Sequence, residues 1–544
     1  MNSSRTSRRS AAEPGPDRAG GWNPLALALL AAVWVAALPN WPLWRALLAL
    51  PETASLRGGL FVVGFGVMLA ALLTALLALF AWRATIKPMI VLLLVSAALG
   101  AHFMGSYGVV IDTTMMTNVL QTDPREVRDL LNWRLLGSVL VLAALPAAWL
   151  WRAPVARTRV LPQAGRNLAA LLGAVAVLAA LLFALFADLS ATMRNHRSMR
   201  YLINPVNSFY ALADLAAQSN ARPAGPPMPI GLDARILPRP PGALPPMLAL
   251  VIGETARADH FALNGYPRPT NPELAALGVL SFRNVMSCGT NTAASLPCMF
   301  SHLGKARFES RDRDHENLLD LVQRSGMAVL WVDNQAGCKG LCSRVAHAET
   351  CVGDDCLDEA LLQGLDERVA ALPAAGRARG VLLVLHQMGS HGPAYFKRSP
   401  VGRKPFLPEC LTSVLQQCDH DALINGYDNS IAYTDHVLAL TIAWLQRQHT
   451  AYEPTLLYMS DHGESLGENN LYLHGLPYAV APVEQKHVPM LMWPGTRGQP
   501  GCLKARQDDA LTHDHLFHTA LGLLGIAAAE YDARLDALAA CRLQ

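Results

Sequence analysis

The spacing of hydrophobic residues divides the chain into two parts. Before about residue 190, Leu, Ala and Val form five long runs, and an apolar helix that crosses a bilayer needs roughly 20 residues. From Leu248 onward, short apolar stretches alternate with polar loops. This pattern predicts five transmembrane helices followed by an α/β domain. The runs lie near residues 23–39, 59–81, 88–109, 134–150 and 167–187.

The loops between the runs predict their orientation. Lys and Arg precede the first run and are concentrated in the loops after the second and the fourth, while the other two loops hold fewer. Short basic loops stay in the cytoplasm, so the chain after residue 188 is predicted to lie outside.

Four apolar stretches after Leu248 are typical of buried strands, and helical patterns lie between them. Their alternation predicts a mainly parallel sheet covered on both faces, with ligands beyond the carboxyl ends of the strands. The strand candidates are LALVIGE, AVLWVDN, VLLVLHQ and TLLYMSDH. We expect a transmembrane domain at 1–187, a helical bridge with an extended Pro-rich linker at 188–247, and an exported domain at 248–544.

Composition adds two restrictions. Hydrophobic residues make up 52% of the chain and the net charge is only +3, with no basic patch that would indicate nucleic-acid binding. All ten cysteines follow residue 287, which is typical of disulfides in an oxidising compartment. The predicted pairs are Cys288/Cys298, Cys338/Cys342, Cys351/Cys356, Cys410/Cys418 and Cys502/Cys541. An alternative for Cys338, Cys342, Cys351 and Cys356 is a zinc site.

The predicted strand ends carry residues that bind metals. Glu254 follows the first strand, and Asp461 and His462 follow the last, a donor set that suits Zn²⁺. Each histidine alone is more often a satisfied core or loop residue, but Asp-His-Gly-Glu directly after a buried strand indicates a site. Further imidazoles are His386, His391 and His474.

The segment SCGTNTAASLPC offers Thr290 and Thr292 as nucleophiles between two cysteines. A threonine hydroxyl is a weak nucleophile, and coordination to a metal lowers its pKa. The residues alone leave the choice between the two threonines open.

Four long segments resemble the bacterial phosphoethanolamine transferases that modify lipid A, members of the alkaline phosphatase and sulfatase superfamily. These segments are VIGETARADHFALNGYPRPTNP, SCGTNTAASLPCMFS, LHQMGSHGPAYFKR and SDHGESLGENNLYLHGLP. The resemblance implies an alkaline phosphatase-like domain in the periplasm, anchored in the inner membrane. It also implies Thr292 as nucleophile and Zn²⁺ bound by Glu254, Thr292, Asp461 and His462. Thr290 would hydrogen-bond the turn, and His386, His391, His474 and Lys397 would surround a second metal or the substrate phosphate.

The segment MMTNVLQTDPREVRDLLN between the third and fourth runs has two interpretations. By resemblance, Asn118, Thr122 and Glu126 help to hold a phosphatidylethanolamine donor. Alternatively, Pro124 begins a helix in which Glu126 completes a capping box. Pro124 also disfavours one continuous helix through all three residues.

The resemblance implies transfer of phosphoethanolamine from phosphatidylethanolamine to a lipid A phosphate through a covalent intermediate on Thr292. His391 or His474 would move the protons, and the product would confer polymyxin resistance. We expect a membrane-embedded monomer. The alternatives are transfer to lipopolysaccharide core sugars, phosphoglycerol transfer, or an inert membrane scaffold.

Overall fold

The computed structural model describes residues 21–122, 124–221, 225–335, 337–350, 356–495 and 500–542. Its contacts group the chain into two units. The helical unit comprises Met1–Ala101 and Gly137–Met199, and the sheet unit comprises His102–Leu136 and Arg200–Gln544.

The α-helices of the described chain range from 4 to 28 residues in length. They are α1 (Pro24–Ala37), α2 (Trp41–Leu48), α3 (Leu56–Leu79), α4 (Ile86–Tyr107), α5 (Thr113–Leu120), α6 (Pro124–Leu130), α7 (Trp133–Val139), α8 (Leu145–Arg152), α9 (Val160–Ala184), α10 (Phe186–Asn195), α11 (Val206–Ala221), α12 (Pro272–Ala276), α13 (Thr292–Met299), α14 (Gly304–Glu309), α15 (Leu318–Arg324), α16 (Leu365–Ala370), α17 (Ala374–Arg377), α18 (His420–Arg447), α19 (Pro500–Ala505), α20 (Asp514–Leu524) and α21 (Ala539–Arg542).

Four apolar helices of the described chain are long enough to span a membrane. They are α3, α4, α9 and the stretch Trp133–Arg152, in which a π-helical segment joins α7 to α8. The first predicted run, 23–39, corresponds to α1; α1 and α2 form a pair bent by 47°, which makes a fifth span if counted as one. Pro39 lies at the break and Pro42 is near the start of α2, and proline interrupts the hydrogen bonds of a continuous helix.

The segment between the third and fourth spans belongs to the sheet unit. Thr113 Oγ1 of α5 donates to Asp214 Oδ2 of α11 at 2.7 Å, and Asn207 Nδ2 donates to the Ile111 carbonyl at 2.6 Å. The helix is interrupted before Pro124, as predicted, and Pro124 is the first residue of α6. The predicted bridge is helical, consisting of α10, a 3₁₀ turn and α11.

The Pro-rich linker has no helix among its described residues, but it lies along the sheet unit. Arg235–Ile236 pairs antiparallel with Ile526–Ala527, and Met228 forms a bridge with His315. The Gly231 amide donates to Glu530 Oε1 at 3.0 Å. Backbone pairing thus holds the described part of the linker against the domain that follows it.

A seven-stranded sheet forms the centre of the sheet unit. Its strands are β1 (Pro246–Gly253), β2 (Leu280–Phe282), β3 (Ala328–Asp333), β4 (Ala346–Glu349), β5 (Val381–His386), β6 (Glu453–Ser460) and β7 (Met490–Trp493). Their order in the sheet is β2-β7-β6-β1-β5-β3-β4. The run from β6 to β4 is parallel, and β7 is antiparallel to both its neighbours. All four strands predicted from the sequence are in it, so the α/β prediction is confirmed.

Alternate residues of β1 enter two hydrophobic cores. Leu248, Leu250 and Ile252 pack with residues of α15 and α20 on one face. Met247, Ala249 and Val251 pack with residues of α18 on the other. Because successive side chains of a strand point to opposite faces, a strand buried on both faces is apolar throughout. This arrangement leaves polar chemistry to the strand ends.

Four of the five predicted disulfides are present among the described residues. Cys338 and Cys342 bond to each other, which excludes the alternative in which all four middle cysteines bind zinc as thiolates. The four disulfides are Cys288–Cys298, Cys338–Cys342, Cys410–Cys418 and Cys502–Cys541.

The fifth predicted pair, Cys351–Cys356, stays a prediction because Cys351 lies outside the described residues. Cys356 is described, half-buried and in the disulfide-bonded state. Its carbonyl accepts from Asn334 Nδ2 at 3.3 Å, so Cys356 lies beside the loop that follows β3. The oxidised state of Cys356 also argues against its being a thiolate ligand of zinc.

Candidate active site

Neighbouring strands bring Glu254, Asp461 and His462 together. β1 and β6 are parallel with Gly253 opposite Ser460, and the Asp461 amide donates to the Gly253 carbonyl at 3.0 Å. The residues that follow the two strands therefore emerge side by side at one edge of the sheet. All three side chains are fully buried.

The three side chains form a compact donor cluster. His462 Nε2 lies 3.2 Å from Glu254 Oε1 and 3.4 Å from Asp461 Oδ2. His462 Nδ1 donates to the Gly463 carbonyl at 2.9 Å, because a carbonyl can only accept. In the neutral ring, the lone pair of Nε2 then faces the two carboxylates, which is the usual orientation of a metal-binding histidine.

The cluster fits a divalent cation. One ligand atom from each residue lies within 4.8 Å of the others. Within the described part of the chain, Glu254 Oε1 and Asp461 Oδ2 accept no hydrogen bond although both are buried. Buried carboxylate oxygens are costly without a donor or a cation, and two carboxylates with one imidazole suit Zn²⁺.

The pKa values reflect the same crowding of charge. Burial raises the pKa of Asp461, and the nearby Glu254 carboxylate raises it further, to about 7. Burial lowers the pKa of His462, but Asp461 and Glu254 outweigh it and raise that pKa to about 10. Burial raises the pKa of Glu254, but the charge of His462, whose Nε2 lies 3.2 Å away, outweighs burial and holds that pKa below its usual range. In its protonated form, His462 thus stabilises the ionised carboxylates through its positive charge.

Thr292 is the first residue of α13 and is directed at this cluster. Its Oγ1 donates to Glu254 Oε2 at 3.0 Å and lies 3.5 Å from His462 Nε2. Asn291 caps the helix by accepting from the Ala294 amide at 2.9 Å, and the Cys288–Cys298 disulfide joins the loop to the helix. A hydroxyl at a helix N-terminus is well placed for negative charge to develop on it.

Thr290 has a different environment although it is only two residues away. Its Oγ1 donates to the Leu476 carbonyl at 2.6 Å, so it ties the loop to the segment after His474 and not to its own turn. This hydrogen bond occupies its proton in a structural contact.

His391 and His474 lie beside the cluster. Their ring centroids are 5.5 Å apart, and the His474 ring is 4.3 Å from that of His462. His474 Nδ1 lies 2.7 Å from Glu464 Oε2, and Glu464 Oε1 accepts from the Tyr395 hydroxyl at 2.5 Å. Burial raises the pKa of Glu464 to about 8. His474 thus packs against a member of the donor cluster, and His391 lies next to His474.

His386 ends β5 at the same level as Asp333 and Ile252 on the adjacent strands. Its Nδ1 lies 3.2 Å from Asp333 Oδ2, which also accepts from Trp331 Nε1 at 2.7 Å. Burial lowers the pKa of His386, but the Asp333 carboxylate outweighs it and raises the pKa. Its buried Nε2 has no hydrogen bond in the described part of the chain.

The remaining predicted residues lie in the segment of α5 and α6 and in the loop that follows β5. Lys397 forms an ion pair with Asp129 of α6. Asn118 is half-buried on α5, and Thr122 follows that helix and donates to the Asn118 carbonyl at 2.8 Å. The side chain of Glu126 lies outside the described residues. The break before Pro124 means that these three residues do not share one face of one helix.

Sequence reasoning missed two polar groups that support the cluster. Gln335 Nε2 donates to Glu254 Oε2 at 2.8 Å from the loop after β3. His513 is fully buried and accepts from the Cys288 amide at 3.0 Å, while its other nitrogen donates to the Ser460 carbonyl at 2.9 Å. Gln335 lies two residues after Asp333 at a strand end, which is a usable signal, whereas nothing local marks His513.

Comparisons with known proteins agree with this architecture. The sequence model of the sulfatase family matches residues 246–526, and that of the phosphoethanolamine transferases EptA/EptB matches residues 69–219. Phosphatidylethanolamine transferase Mcr-1 of Escherichia coli is 40% identical over 86% of this chain and 88% of its own. Phosphoethanolamine transferase EptA of Escherichia coli K12 is 37% identical over 96% of this chain and 97% of its own. The integral membrane protein lipooligosaccharide phosphoethanolamine transferase A of Neisseria meningitidis superposes with a TM-score of 0.89, at 31% identity, over 95% of this chain and 98% of its own.

Proposed function

Because this chain belongs to the phosphoethanolamine transferase family, we propose that it moves phosphoethanolamine from phosphatidylethanolamine to a phosphate of lipid A by way of Thr292. It is an enzyme of the bacterial inner membrane with its catalytic domain in the periplasm. The contact between Thr292 Oγ1 and Glu254 within the buried donor cluster carries the proposal.

The residues that would hold zinc are Glu254, Thr292, Asp461 and His462. The ion would supply a lowered pKa for the Thr292 hydroxyl and a positive charge beside the phosphoryl oxygens. Gln335 donates to Glu254 Oε2 and thereby orients that carboxylate. His386 is held by Asp333 at the end of the neighbouring strand, and its Nε2 has no hydrogen bond among the described residues. This nitrogen would bind a second cation or a phosphate oxygen of the substrate.

In the first step, Thr292 Oγ1 attacks the phosphorus of the donor. A bond from Oγ1 to phosphorus forms, and the bond from phosphorus to the diacylglycerol oxygen breaks. The proton that Oγ1 loses passes to the diacylglycerol oxygen by way of His391 or His474. In the second step, an oxygen of the acceptor phosphate attacks the same phosphorus and the bond to Oγ1 breaks. Oγ1 regains a proton from the acceptor by way of the same histidine. Positioning and charge stabilisation carry most of such a phosphoryl transfer.

Chemistry and the relatives both favour lipid A as the acceptor. One relative covering almost the whole chain is named for a lipooligosaccharide acceptor. Attaching an ethanolamine ammonium offsets the negative charge of a lipid A phosphate, so cationic peptides would bind the modified surface less well. Expression in a susceptible Gram-negative host is expected to raise polymyxin resistance, and no rise from the folded enzyme would argue against lipid A.

The mass of the intact protein after incubation with phosphatidylethanolamine tests the first step. We expect a phosphoethanolamine adduct on the wild type and on Thr290→Ala, and none on Thr292→Ala. Thr290→Ala is the matched control because it removes the same hydroxyl from the same loop. Loss of the adduct only in Thr290→Ala would reverse the assignment. Its absence from every metal-loaded sample would refute this donor and intermediate.

A further inference from the structure

Asp129 on α6 forms ion pairs with two basic side chains, Lys397 and Arg398, of the domain that carries the candidate active site. Its Oδ2 accepts from Arg398 Nη2 at 3.0 Å, and its Oδ1 pairs with Lys397. The Asp129 side chain is only 9% exposed and that of Arg398 10%, whereas Lys397 is 41% exposed. A carboxylate and a guanidinium withdrawn from water depend on each other, because either one left alone is strongly destabilised.

Arg398 has a second role at its other edge. Its Nε donates to the His391 carbonyl at 2.7 Å. The planar guanidinium therefore spans from the Asp129 carboxylate to the backbone of a histidine beside the donor cluster. A rigid fork of this kind transmits the position of one partner to the other better than a flexible ammonium does.

Other hydrogen bonds hold the part of the loop that precedes His391. The Asp358 carboxylate accepts from the Met388 and Gly389 amides at 2.8 and 2.9 Å, and the Ser390 amide donates to the Glu254 carbonyl at 3.0 Å. Gly389 has a φ of +53°, and a side chain there would collide with the Glu254 backbone. The bond from Arg398 to the His391 carbonyl holds the opposite end of this loop. Because Asp129 binds Arg398, it acts on that end.

We propose that Asp129 is a positioning residue for His391, acting through Arg398. The segment between the third and fourth spans then has a role in catalysis. Through Asp129 of α6 it helps to fix the position of His391, the proposed proton-transferring histidine. This inference rests on the proposed role of His391 for its effect on rate, but the link from Asp129 to the loop is independent of substrate.

A double-mutant cycle on the full-length enzyme tests this link. We expect Asp129→Asn and Arg398→Lys each to lower kcat about tenfold, the scale of one hydrogen bond to a charged group, with KM for the donor nearly unchanged. The double variant should be no slower than either single one, because both changes release the same carbonyl. Asp129→Glu should recover most of the rate.

The matched control is Arg403→Gln. Arg403 pairs with Glu273 at 3.1 Å, and both are well exposed, at 47% and 40%, so its loss should leave kcat unchanged. If the effects of Asp129→Asn and Arg398→Lys multiply, Asp129 acts by a route other than Arg398 and the proposal is wrong. A rise in KM with unchanged kcat would likewise overturn it.

Hydrogen–deuterium exchange supplies a readout that needs no turnover. Peptides covering residues 388–398 should exchange faster in Asp129→Asn than in the wild type, and no faster in Arg403→Gln or Asp129→Glu. Unchanged exchange in a folded Asp129→Asn would refute the positioning role. If the wild type forms no adduct, the proposed function fails, but the exchange experiment still decides the role of Asp129.

Discussion

The donor cluster and the segment 102–136 both border the candidate active site, but they are held in different ways. Glu254, Asp461 and His462 follow adjacent strands of a buried sheet, and hydrogen-bonded backbone sets their spacing. Moving any one of them would require moving a strand that packs in two cores. Packed interiors resist such shifts, so the cluster is rigid by construction.

The segment 102–136 relies on a small number of side-chain contacts instead. Met115 of α5 abuts Gly475, next to His474, and Asp129 of α6 pairs with Arg398. α5 also contacts α13, the helix that begins at Thr292. Short helices held by a few contacts can shift at low cost. The candidate metal site and the segment 102–136 thus have separate structural foundations, so single changes in each region should have separate effects.

The largest expected effect tests the rigid region. Gln335→Ala removes the amide that orients Glu254, and loss of a group that orients a metal ligand typically lowers metal affinity by about 10–100-fold. Competition with a zinc chelator would measure this change. The control is Gln323→Ala, whose amide donates to the Arg344 carbonyl at an exposed position. Equal affinity in Gln335→Ala and the wild type would show that the strands alone orient Glu254.

The second prediction concerns the segment 102–136. Asn118→Ala should raise KM for phosphatidylethanolamine by roughly 3–10-fold, the scale of one hydrogen bond, and leave kcat and metal affinity unchanged. Steady-state kinetics in mixed micelles would separate the two constants. A matched change on the same helix is Thr114→Val, because Thr114 is exposed and donates to Asp112. A fall in kcat with constant KM would mean that Asn118 acts on the chemical step.

The third effect concerns the pH dependence of the stability of the rigid region. Burial lowers the pKa of His513 to about 3, so the unfolded chain binds a proton that the folded one excludes. The free energy of unfolding should therefore fall as pH drops below about 6.5, by about 1.4 kcal/mol per pH unit from this group, until pH reaches about 3. His513→Gln should reduce that slope in denaturant titrations.

The matched control for this titration is His420→Gln, because His420 is exposed at the start of α18. It should leave the slope as it is in the wild type. A His513→Gln variant that folds and keeps the full slope would show that other buried groups account for it.

Short segments of the sequence were enough to predict the buried strands of the sheet unit, because each strand and its end are marked by neighbouring residues. A strand buried on both faces is apolar throughout, and the polar residue after it marks the strand end, as with Glu254 after β1. The antiparallel β7 was not predicted, because a short apolar run carries no mark of its direction. The bend between α1 and α2 was not predicted either, although Pro39 and Pro42 mark it.

Residues that act from a distance could not be predicted in this way. Asp129 lies about 270 positions before Arg398, and His513 about 225 after Cys288, so no spacing rule links either pair. The role of Thr290 is of the same kind, since its partner is a carbonyl 186 positions away.

By itself, the sequence determined the apolar spans, the buried strands, the cysteine pairs that the structure describes and the residue types that can hold a cation. These properties depend on hydrophobic periodicity and on chemistry carried by single side chains or near neighbours. The resemblance implied Thr292 as nucleophile, and the tertiary structure shows that Thr292 and not Thr290 contacts the cluster. Only the tertiary structure decided that Gln335 orients Glu254 and that Asp129 is linked through Arg398 to the loop of His391. Such contacts arise when strands and docked helices fold together, and their energy depends on distance in space and not along the chain.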